Sequence, residues 1–167
     1  MRAEPDFLAL LRVLSRHEVD YIVIGGVSAV LQGAPVSTFD LEIVHSRSPK
    51  NVERLLAALR ELGAYYREHE TTRPVPEERR LQGGGHHLLM TRCGPLDLLG
   101  EVSGGRVFAD LEGKAVTMEI EPDLRVRVLT LAMLIVLKEE LGGEKDLAVL
   151  PVLRRTLSES ESRGGNT

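Results

Sequence analysis

The sequence predicts an α/β (α+β) domain: a small mixed, twisted sheet with helices packed mainly on one side and a helical C-terminal portion. Two apolar runs rich in β-branched residues, Tyr21–Ile24 and 41–44, are typical of buried strands. Segments with apolar residues at three- and four-residue spacing precede, separate and follow these runs. This alternation is typical of domains that combine a sheet and helices in one core.

The composition fits one soluble globular domain. The chain has 167 residues, 43% of them hydrophobic and 28% charged, which suffices to bury a core. The net charge of −4 excludes a protein that holds duplex nucleic acid through overall basic charge, although a local basic patch would suffice for a nucleic-acid substrate. Cys93 is the single cysteine, so no intramolecular disulfide is expected and a reducing, cytoplasmic setting fits. We find no signal peptide or membrane-spanning run and expect no membrane partner.

The first part of the chain predicts helix and strand in alternation. Asp6 opens a helix, because apolar residues recur at helical spacing after it. The strand Tyr21–Ile24 follows and ends at two glycines, and 27–31 predicts a short helix. Pro35 cannot continue that helix, so a connection leads to the second strand.

The clearest helix lies at 49–62. Ser48 suits the N-cap and Pro49 suits the first helical position. Leucine and valine recur on one face, and Gly63 ends the pattern.

Residues 64–85 predict an irregular insert, since they are charged and contain prolines and glycines. Four arginines lie there among glutamates: Arg67, Arg73, Arg79 and Arg80. They could form a basic edge for an RNA acceptor, but solvated loop charges are the expected interpretation. The runs 87–91 and 95–99 then predict a β-hairpin, with Asp97 inside its second strand.

The next segment predicts a second pair of strands and a helix. The strands lie at 115–120 and 124–128, on either side of a turn. Thr130 then caps an apolar helix over 131–141.

A final helix is expected over 145–157. It contains Pro151, so one helix or two shorter pieces would fit. The polar residues 158–167 are expected to be disordered, which leaves a single domain over 1–157.

Two carboxylates lie two positions apart at the start of the second strand. Because strand side chains alternate between faces, Asp40 and Glu42 point the same way, while Leu41 and Ile43 point into the core. Like charges on one face of a buried strand repel each other, and a divalent cation is the simplest ligand that would stabilise them. The alternative is that both carboxylates are exposed on an edge strand.

Together with the glycine pair and a later acidic residue, this arrangement resembles the nucleotidyltransferase superfamily, which includes DNA polymerase β-like enzymes. In that family a strand ends in a glycine turn, the next strand bears two acidic residues at i and i+2, and a later strand bears a third. The matching residues are Gly25, Gly26, Asp40, Glu42 and Asp97. The chain looks most like small bacterial proteins of the abortive-infection and toxin–antitoxin type. The resemblance is densest over 20–63 and absent from 64–85.

The resemblance implies a Mg²⁺- or Mn²⁺-dependent enzyme that transfers a nucleoside monophosphate from a nucleoside triphosphate to an acceptor hydroxyl. Asp40 and Glu42 would hold the metal that bridges the triphosphate, and Asp97 would share a second metal that activates the acceptor. The glycine pair would let backbone N–H groups approach the triphosphate. Ser28, in the first turn of the short helix, would add a hydroxyl donor.

A lysine-bearing helix followed by a Lys-Asp pair is a further feature of the toxin-like branch. Lys138, Lys145 and Asp146 match it. The two lysines would offset triphosphate charge, with Lys145 contacting the nucleotide. A solvated lysine at the end of a helix is the alternative for Lys138. For Asp146 a role at a helix N-terminus is favoured, and it can coexist with catalysis.

Two residues depart from the family pattern. Glu42 stands where Asp is more usual, which moves its oxygens by about one carbon–carbon bond. Phe39 replaces a residue that is often polar. A degenerate, metal-free member of the fold is therefore a separate alternative.

The histidines and the cysteine are assigned no catalytic role. His86 and His87 are adjacent in a predicted strand and point to opposite faces, so surface or hairpin positions are expected for them and for His45. Cys93 lies in a tight turn without a base partner.

The competing hypothesis is a non-catalytic partner protein with the same fold, either antitoxin-like or dimerising. On the enzyme hypothesis the substrates are a nucleoside triphosphate and an unidentified acceptor, with RNA, tRNA, protein and a small molecule as candidates. A homodimer or a cognate toxin or antitoxin partner fits either hypothesis.

Overall fold

In the computed structural model, which describes residues 4–164, the chain forms a seven-stranded mixed sheet with flanking helices. The strands are β1 (Tyr21–Ile24), β2 (Leu41–His45), β3 (Tyr65–Tyr66), β4 (His86–Thr91), β5 (Gly94–Leu99), β6 (Ala115–Glu121) and β7 (Leu124–Leu129). The helices are α1 (Phe7–Arg16), α2 (Gly25–Leu31), α3 (Pro49–Glu61), α4 (Glu78–Leu81), α5 (Phe108–Leu111), α6 (Leu131–Leu141) and α7 (Glu144–Gly164). The predicted α/β class is confirmed.

The strand order places β2 inside the sheet. The order is β3-β4-β5-β2-β1-β7-β6. β2 pairs antiparallel with β1 and parallel with β5, and β1 pairs parallel with β7. The remaining neighbours form antiparallel pairs, including the hairpins β4–β5 and β6–β7. A side chain on β2 is therefore flanked by strands on both sides.

Alternation along β1 divides the core into two layers. Tyr21 and Val23 belong to the cluster that includes buried residues of α1 and α3. Ile22 and Ile24 belong to the cluster that includes residues of α6 and α7. All four are buried, as expected for a strand covered on both faces. The expectation that helices pack mainly on one side is therefore wrong, because each face of the sheet has its own helical layer.

Side-chain caps fix the starts of three long helices. Asp6 Oδ1 accepts a hydrogen bond of 3.0 Å from the Ala9 N–H at α1. Ser48 Oγ accepts one at α3 and Thr130 Oγ1 accepts one at α6. Each satisfies a backbone donor that has no partner within the helix. These are the three starts that the sequence pattern predicts.

The segment 64–85 is more ordered than its composition predicts. It contributes β3 at a sheet edge, a 3₁₀ turn at Arg67–His69, and α4. The Tyr66 N–H donates to the Pro74 carbonyl at 2.9 Å, and Leu81 is fully buried in the core. Burial of a few apolar residues therefore anchors a segment that looks irregular because of its charges and prolines.

The C-terminal helix is the undivided one of the two predicted possibilities, and it extends further than predicted. α7 passes through Pro151 without division and continues to Gly164. The predicted disorder of 158–167 is therefore wrong over 158–164, while 165–167 lie outside the described residues. A helix that is already nucleated by packing gains one backbone bond for each added residue, which explains why exposed polar residues can extend it. None of the helices within 4–164 has the length and apolar character needed to cross a membrane.

Candidate active site

Three carboxylates converge at the sheet's centre. Asp40 directly precedes β2, Glu42 is its second residue, and Asp97 lies on β5. The parallel register places Glu42 directly opposite Asp97. One carboxylate oxygen from each of the three residues lies within 4.8 Å of the others. The structure therefore brings together the acidic residues that the sequence pattern singles out.

The site is not an exposed edge. β2 lies between β5 and β1, and Asp97 is only 7% exposed. Glu42 is partly buried, and the backbone of β1 runs beside it, with Ile24 as its antiparallel partner. The edge-strand alternative for Asp40 and Glu42 is therefore wrong.

Burial and neighbouring negative charges make Glu42 and Asp97 costly to ionise. Burial raises the pKa of Glu42 to about 7, and the charges of Asp40 and Asp97 act in the same direction, whereas Lys138 opposes them. Burial also raises the pKa of Asp97, while a hydrogen bond from Arg67 lowers it. A group of anions held together against this cost is typical of a functional site.

The donor set fits a divalent cation. Carboxylate oxygens are the ligands that Mg²⁺ and Mn²⁺ prefer. Two oxygens on one Mg²⁺ lie at most about 4.2 Å apart, because each bond is about 2.1 Å long. The three carboxylate oxygens lie within 4.8 Å of one another, which is close to this maximum oxygen–oxygen distance. Small side-chain rotations would therefore bring the oxygens of Asp40, Glu42 and Asp97 onto one ion.

Arg67 is a member of the site that the sequence pattern does not reveal. Its Nη1 lies 2.5 Å from Asp97 Oδ1 and donates to the Leu89 carbonyl at 3.2 Å. Both side chains are largely buried. The prediction that Arg67 is a solvated loop charge is therefore wrong. No periodic or motif signal marks this arginine, because it reaches Asp97 only through the edge strand β3.

Two other arginines of that segment pack on aromatic rings. The guanidinium of Arg73 lies 4.8 Å from the centre of the Tyr65 ring, and that of Arg80 lies 4.5 Å from the Tyr66 ring. These are cation–π distances. Arg79 is exposed, as expected for a solvated charge.

The glycine pair lets the carboxylate strand approach the backbone. Gly25 has φ +66°, and a Cβ there would lie 2.8 Å from the Glu42 carboxyl group. A Cβ on Gly26 would lie 2.7 Å from the Thr38 side chain. Any larger residue would therefore push against the site, and at Gly25 it would also be strained. The glycines are required by the close packing around Glu42.

Ser28 does not face the cleft. Its side chain is fully buried, and its Oγ donates to the Leu129 carbonyl at 2.9 Å. Gln32 Nε2 donates to the same carbonyl at 2.7 Å. The prediction that Ser28 offers its hydroxyl to a phosphate is corrected accordingly, because the hydroxyl joins α2 to the end of β7.

A cleft of about 320 Å³ opens beside the carboxylates. One wall is the glycine pair with Asp40 and Glu42, and the other comes from α6 and α7, including Lys138 and Lys145. The two lysines thus lie where the sequence pattern predicts them, facing the same space as the carboxylates.

Asp146 acts on Lys138. Its Oδ1 lies 3.0 Å from Lys138 Nζ, and both side chains are about one-quarter exposed. The alternative of a fully solvated Lys138 is therefore wrong. Asp146 also lies in the first turn of α7, where a carboxylate is favoured by the helix dipole. The ion pair fixes the position of the lysine head group beside the cleft.

Two of the histidines are buried away from this site. His45 is fully buried and its Nε2 lies 3.1 Å from the Leu81 carbonyl. His87 is 4% exposed, and its Nδ1 lies 2.8 Å from the Tyr66 hydroxyl. Burial lowers the pKa of both, that of His87 to about 4. The expected surface position is wrong for these two and right for exposed His86, whereas the expected hairpin position is right for His86 and His87.

Comparison with known structures identifies the class of fold. No protein-family model and no curated protein matches the sequence. The chain is similar to the crystal structure of a candidate nucleotidyltransferase from Thermotoga maritima, with 18% identity and a TM-score of 0.56. The match covers 92% of this chain and 91% of that chain. The chain therefore has a nucleotidyltransferase-like fold.

Proposed function

We propose that this protein is a Mg²⁺- or Mn²⁺-dependent nucleotidyltransferase, which transfers a nucleoside monophosphate from a nucleoside triphosphate to an acceptor hydroxyl. The observation that carries the proposal is the convergence of Asp40, Glu42 and Asp97 within a nucleotidyltransferase-like fold. Buried like charges are unfavourable unless something binds them. A cation that itself binds phosphate would meet this requirement.

The three carboxylates would hold the cation at the mouth of the cleft. When bound, a divalent ion offsets the charge on phosphate oxygens and lowers the pKa of an attacking hydroxyl. Gly25 and Gly26 line the cleft together with Lys138 and Lys145, and their backbone N–H groups would contact a triphosphate bound there.

The charged residues on the two sides of the carboxylates have different tasks. Lys138, fixed by its ion pair with Asp146, and Lys145 would contact the triphosphate and favour departure of pyrophosphate. On the other side, Asp97 would accept the proton of the acceptor hydroxyl. Arg67 holds Oδ1 of Asp97 and so fixes the orientation of this carboxylate.

The finer assignments belong to the same proposal. They are a toxin-like subtype, RNA or tRNA as the acceptor, a cytoplasmic location, and a homodimer or a cognate toxin or antitoxin as partner. The location rests on the single cysteine, and the other assignments rest on the sequence resemblance.

Binding of nucleotide and metal provides the first test. We expect Mn²⁺ with α,β-methylene-ATP, which cannot react at its α-phosphorus, to raise the melting temperature of the parent protein and to bind in calorimetry. Asp40→Asn should abolish both effects. Asp123→Asn changes an exposed carboxylate in the β6–β7 turn and is the matched control. Absence of binding to the parent protein would overturn the proposal.

Incubation with each labelled nucleoside triphosphate, Mg²⁺ and total cellular RNA then tests the reaction. Label in a macromolecule that disappears with Asp40→Asn would support transfer to RNA. Binding of metal and nucleotide with no transfer to RNA, to protein or to a small hydroxyl-bearing molecule would instead support the non-catalytic partner hypothesis.

A further inference from the structure

A second cavity lies next to the first cleft. It has a volume of about 500 Å³ and meets the first cleft at Phe39, which lines both. Arg67 also lines it and at the same time contacts Asp97. Phe39 directly precedes Asp40 in the chain. The cavity thus reaches the site from the side of Asp97, whereas the lysines lie in the first cleft.

Phe39 is the most exposed large apolar side chain in the described part of the chain. Its exposure is 75%, in a sequence with only three phenylalanines. No aromatic or cation–π contact is assigned to its ring among residues 4–164. An aromatic ring face left in water beside a cavity is a surface on which a planar ligand can stack.

The rest of the cavity combines apolar surface with charged residues that carry no excess of positive charge. Tyr65, Met90 and Pro95 contribute apolar surface. Arg67 is already paired with Asp97, and Arg92 is offset by acidic residues on the same lining, Glu4 and Glu70. No excess positive charge would attract a polyanion here, in contrast to the first cleft with its two lysines.

We propose that this cavity binds the acceptor, and that the acceptor is a hydroxyl-bearing molecule with an uncharged planar ring, such as a nucleoside, stacked on Phe39. The cavity is within the size range of small-molecule sites. A hydroxyl attached to a ring on Phe39 would lie in the cavity that is also lined by Arg67, the partner of Asp97. The role of this ligand as the acceptor rests on the proposed function, whereas the binding of a planar ring at Phe39 is independent of it.

Adenosine is the probe for a first test with the full-length protein, by calorimetry and ligand-observed NMR. We expect saturable binding that persists when α,β-methylene-ATP and Mg²⁺ saturate the first cleft. With Mn²⁺ in place of Mg²⁺, the ribose protons should relax faster, because the paramagnetic ion lies nearby. Loss of adenosine binding when the analogue is added would overturn the inference, since the two would then share one site.

Substitution of Phe39 provides the second test. Phe39→Ala should weaken adenosine binding by about 5- to 150-fold, the range for loss of one stacking contact. Phe39→Tyr retains the ring and should stay close to the parent protein. Leu141→Ala removes another exposed apolar side chain, far along the sequence on α6, and is the matched control. Equal affinities of the Phe39→Ala variant and the parent protein would overturn the inference.

Other ligands separate this inference from its alternatives. Binding of a short RNA or of a serine- or tyrosine-containing peptide without any binding of adenosine would overturn it. Failure of the parent protein to bind α,β-methylene-ATP with metal, while adenosine still binds through Phe39, would overturn the proposed function and support the ring site.

Discussion

In the absence of metal, replacement of Glu42 by glutamine should stabilise the folded protein at pH 8 but not at pH 4.5. Burial raises the pKa of Glu42 to about 7, from an ordinary value of 4.5. Between these two values the native state holds a proton that the unfolded state has lost. The stability of the parent protein therefore falls as pH rises through this window, and then stays level above pH 7.

The magnitude follows from the two pKa values. At about 1.4 kcal/mol for each pH unit, ionised Glu42 lowers the free energy of unfolding by about 3 kcal/mol above pH 7. Glu42→Gln keeps the shape of the side chain and cannot ionise. The variant should thus match the parent protein near pH 4.5 and exceed it by about 2–3 kcal/mol at pH 8.

Urea unfolding at pH 4.5 and pH 8, with and without Mg²⁺, measures this effect. Saturating Mg²⁺ should stabilise the parent protein at pH 8 and have little effect on the variant. The difference in their free energies of unfolding should therefore shrink or change sign. Glu119→Gln, on the exposed side of β6, is the control and should change stability little at either pH. Equal stability of the Glu42→Gln variant and the parent protein at pH 8 would refute the reasoning that burial of Glu42 is costly.

Three other substitutions test the surroundings of the carboxylates. Arg67→Met should lower the free energy of unfolding by about 2–3 kcal/mol, since it leaves Asp97 without its partner. Mn²⁺ should then raise the melting temperature more in this variant than in the parent protein. Equal rises in melting temperature, or a similar loss of stability in the exposed control Arg155→Met, would contradict this explanation. Gly25→Ala should cost about 1–3 kcal/mol and weaken Mn²⁺ binding in calorimetry, because its Cβ meets the Glu42 carboxyl group; Gly113→Ala, which has open space around it, should change neither. Ser28→Ala should lower the free energy of unfolding by only about 1 kcal/mol, because the Leu129 carbonyl retains its hydrogen bond from Gln32. A large loss of nucleotide affinity in this variant would show that Ser28 contacts the nucleotide.

The sequence predicts the carboxylates because their geometry is mostly local. Alternation along one strand is enough to place Asp40 and Glu42 on the same side. The position of Asp97 opposite Glu42 depends on the pairing of β2 with β5, two strands separated by α3, β3, α4 and β4. No local pattern specifies that register, which is why the third carboxylate is placed by resemblance alone.

Residues whose roles depend on tertiary contacts are missed. Arg67 looks like one charge among many until β3 pairs at the sheet edge and brings it to Asp97. Ser28 looks like a first-turn donor, but the packing of α2 turns it towards Leu129. His45 and His87 look like surface residues because their partners, Leu81 for His45 and Tyr66 for His87, lie in a segment whose composition hides its order.

The helical hairpin formed by α6 and α7 offers a way to measure ligand affinity without turnover. It supplies one wall of the first cleft, and ion pairs between Lys138 and Asp146 and between Arg154 and Glu139 join its two helices. A ligand held by both the hairpin and the carboxylates must be released before the hairpin can open locally. Amide hydrogen exchange in α6 and α7 should therefore slow with ligand concentration while the β6–β7 hairpin exchanges as before. The rise in the opening free energy of α6 and α7 with ligand concentration, measured against the β6–β7 hairpin as reference, would report the affinity of the cleft for its ligand, whatever the acceptor is.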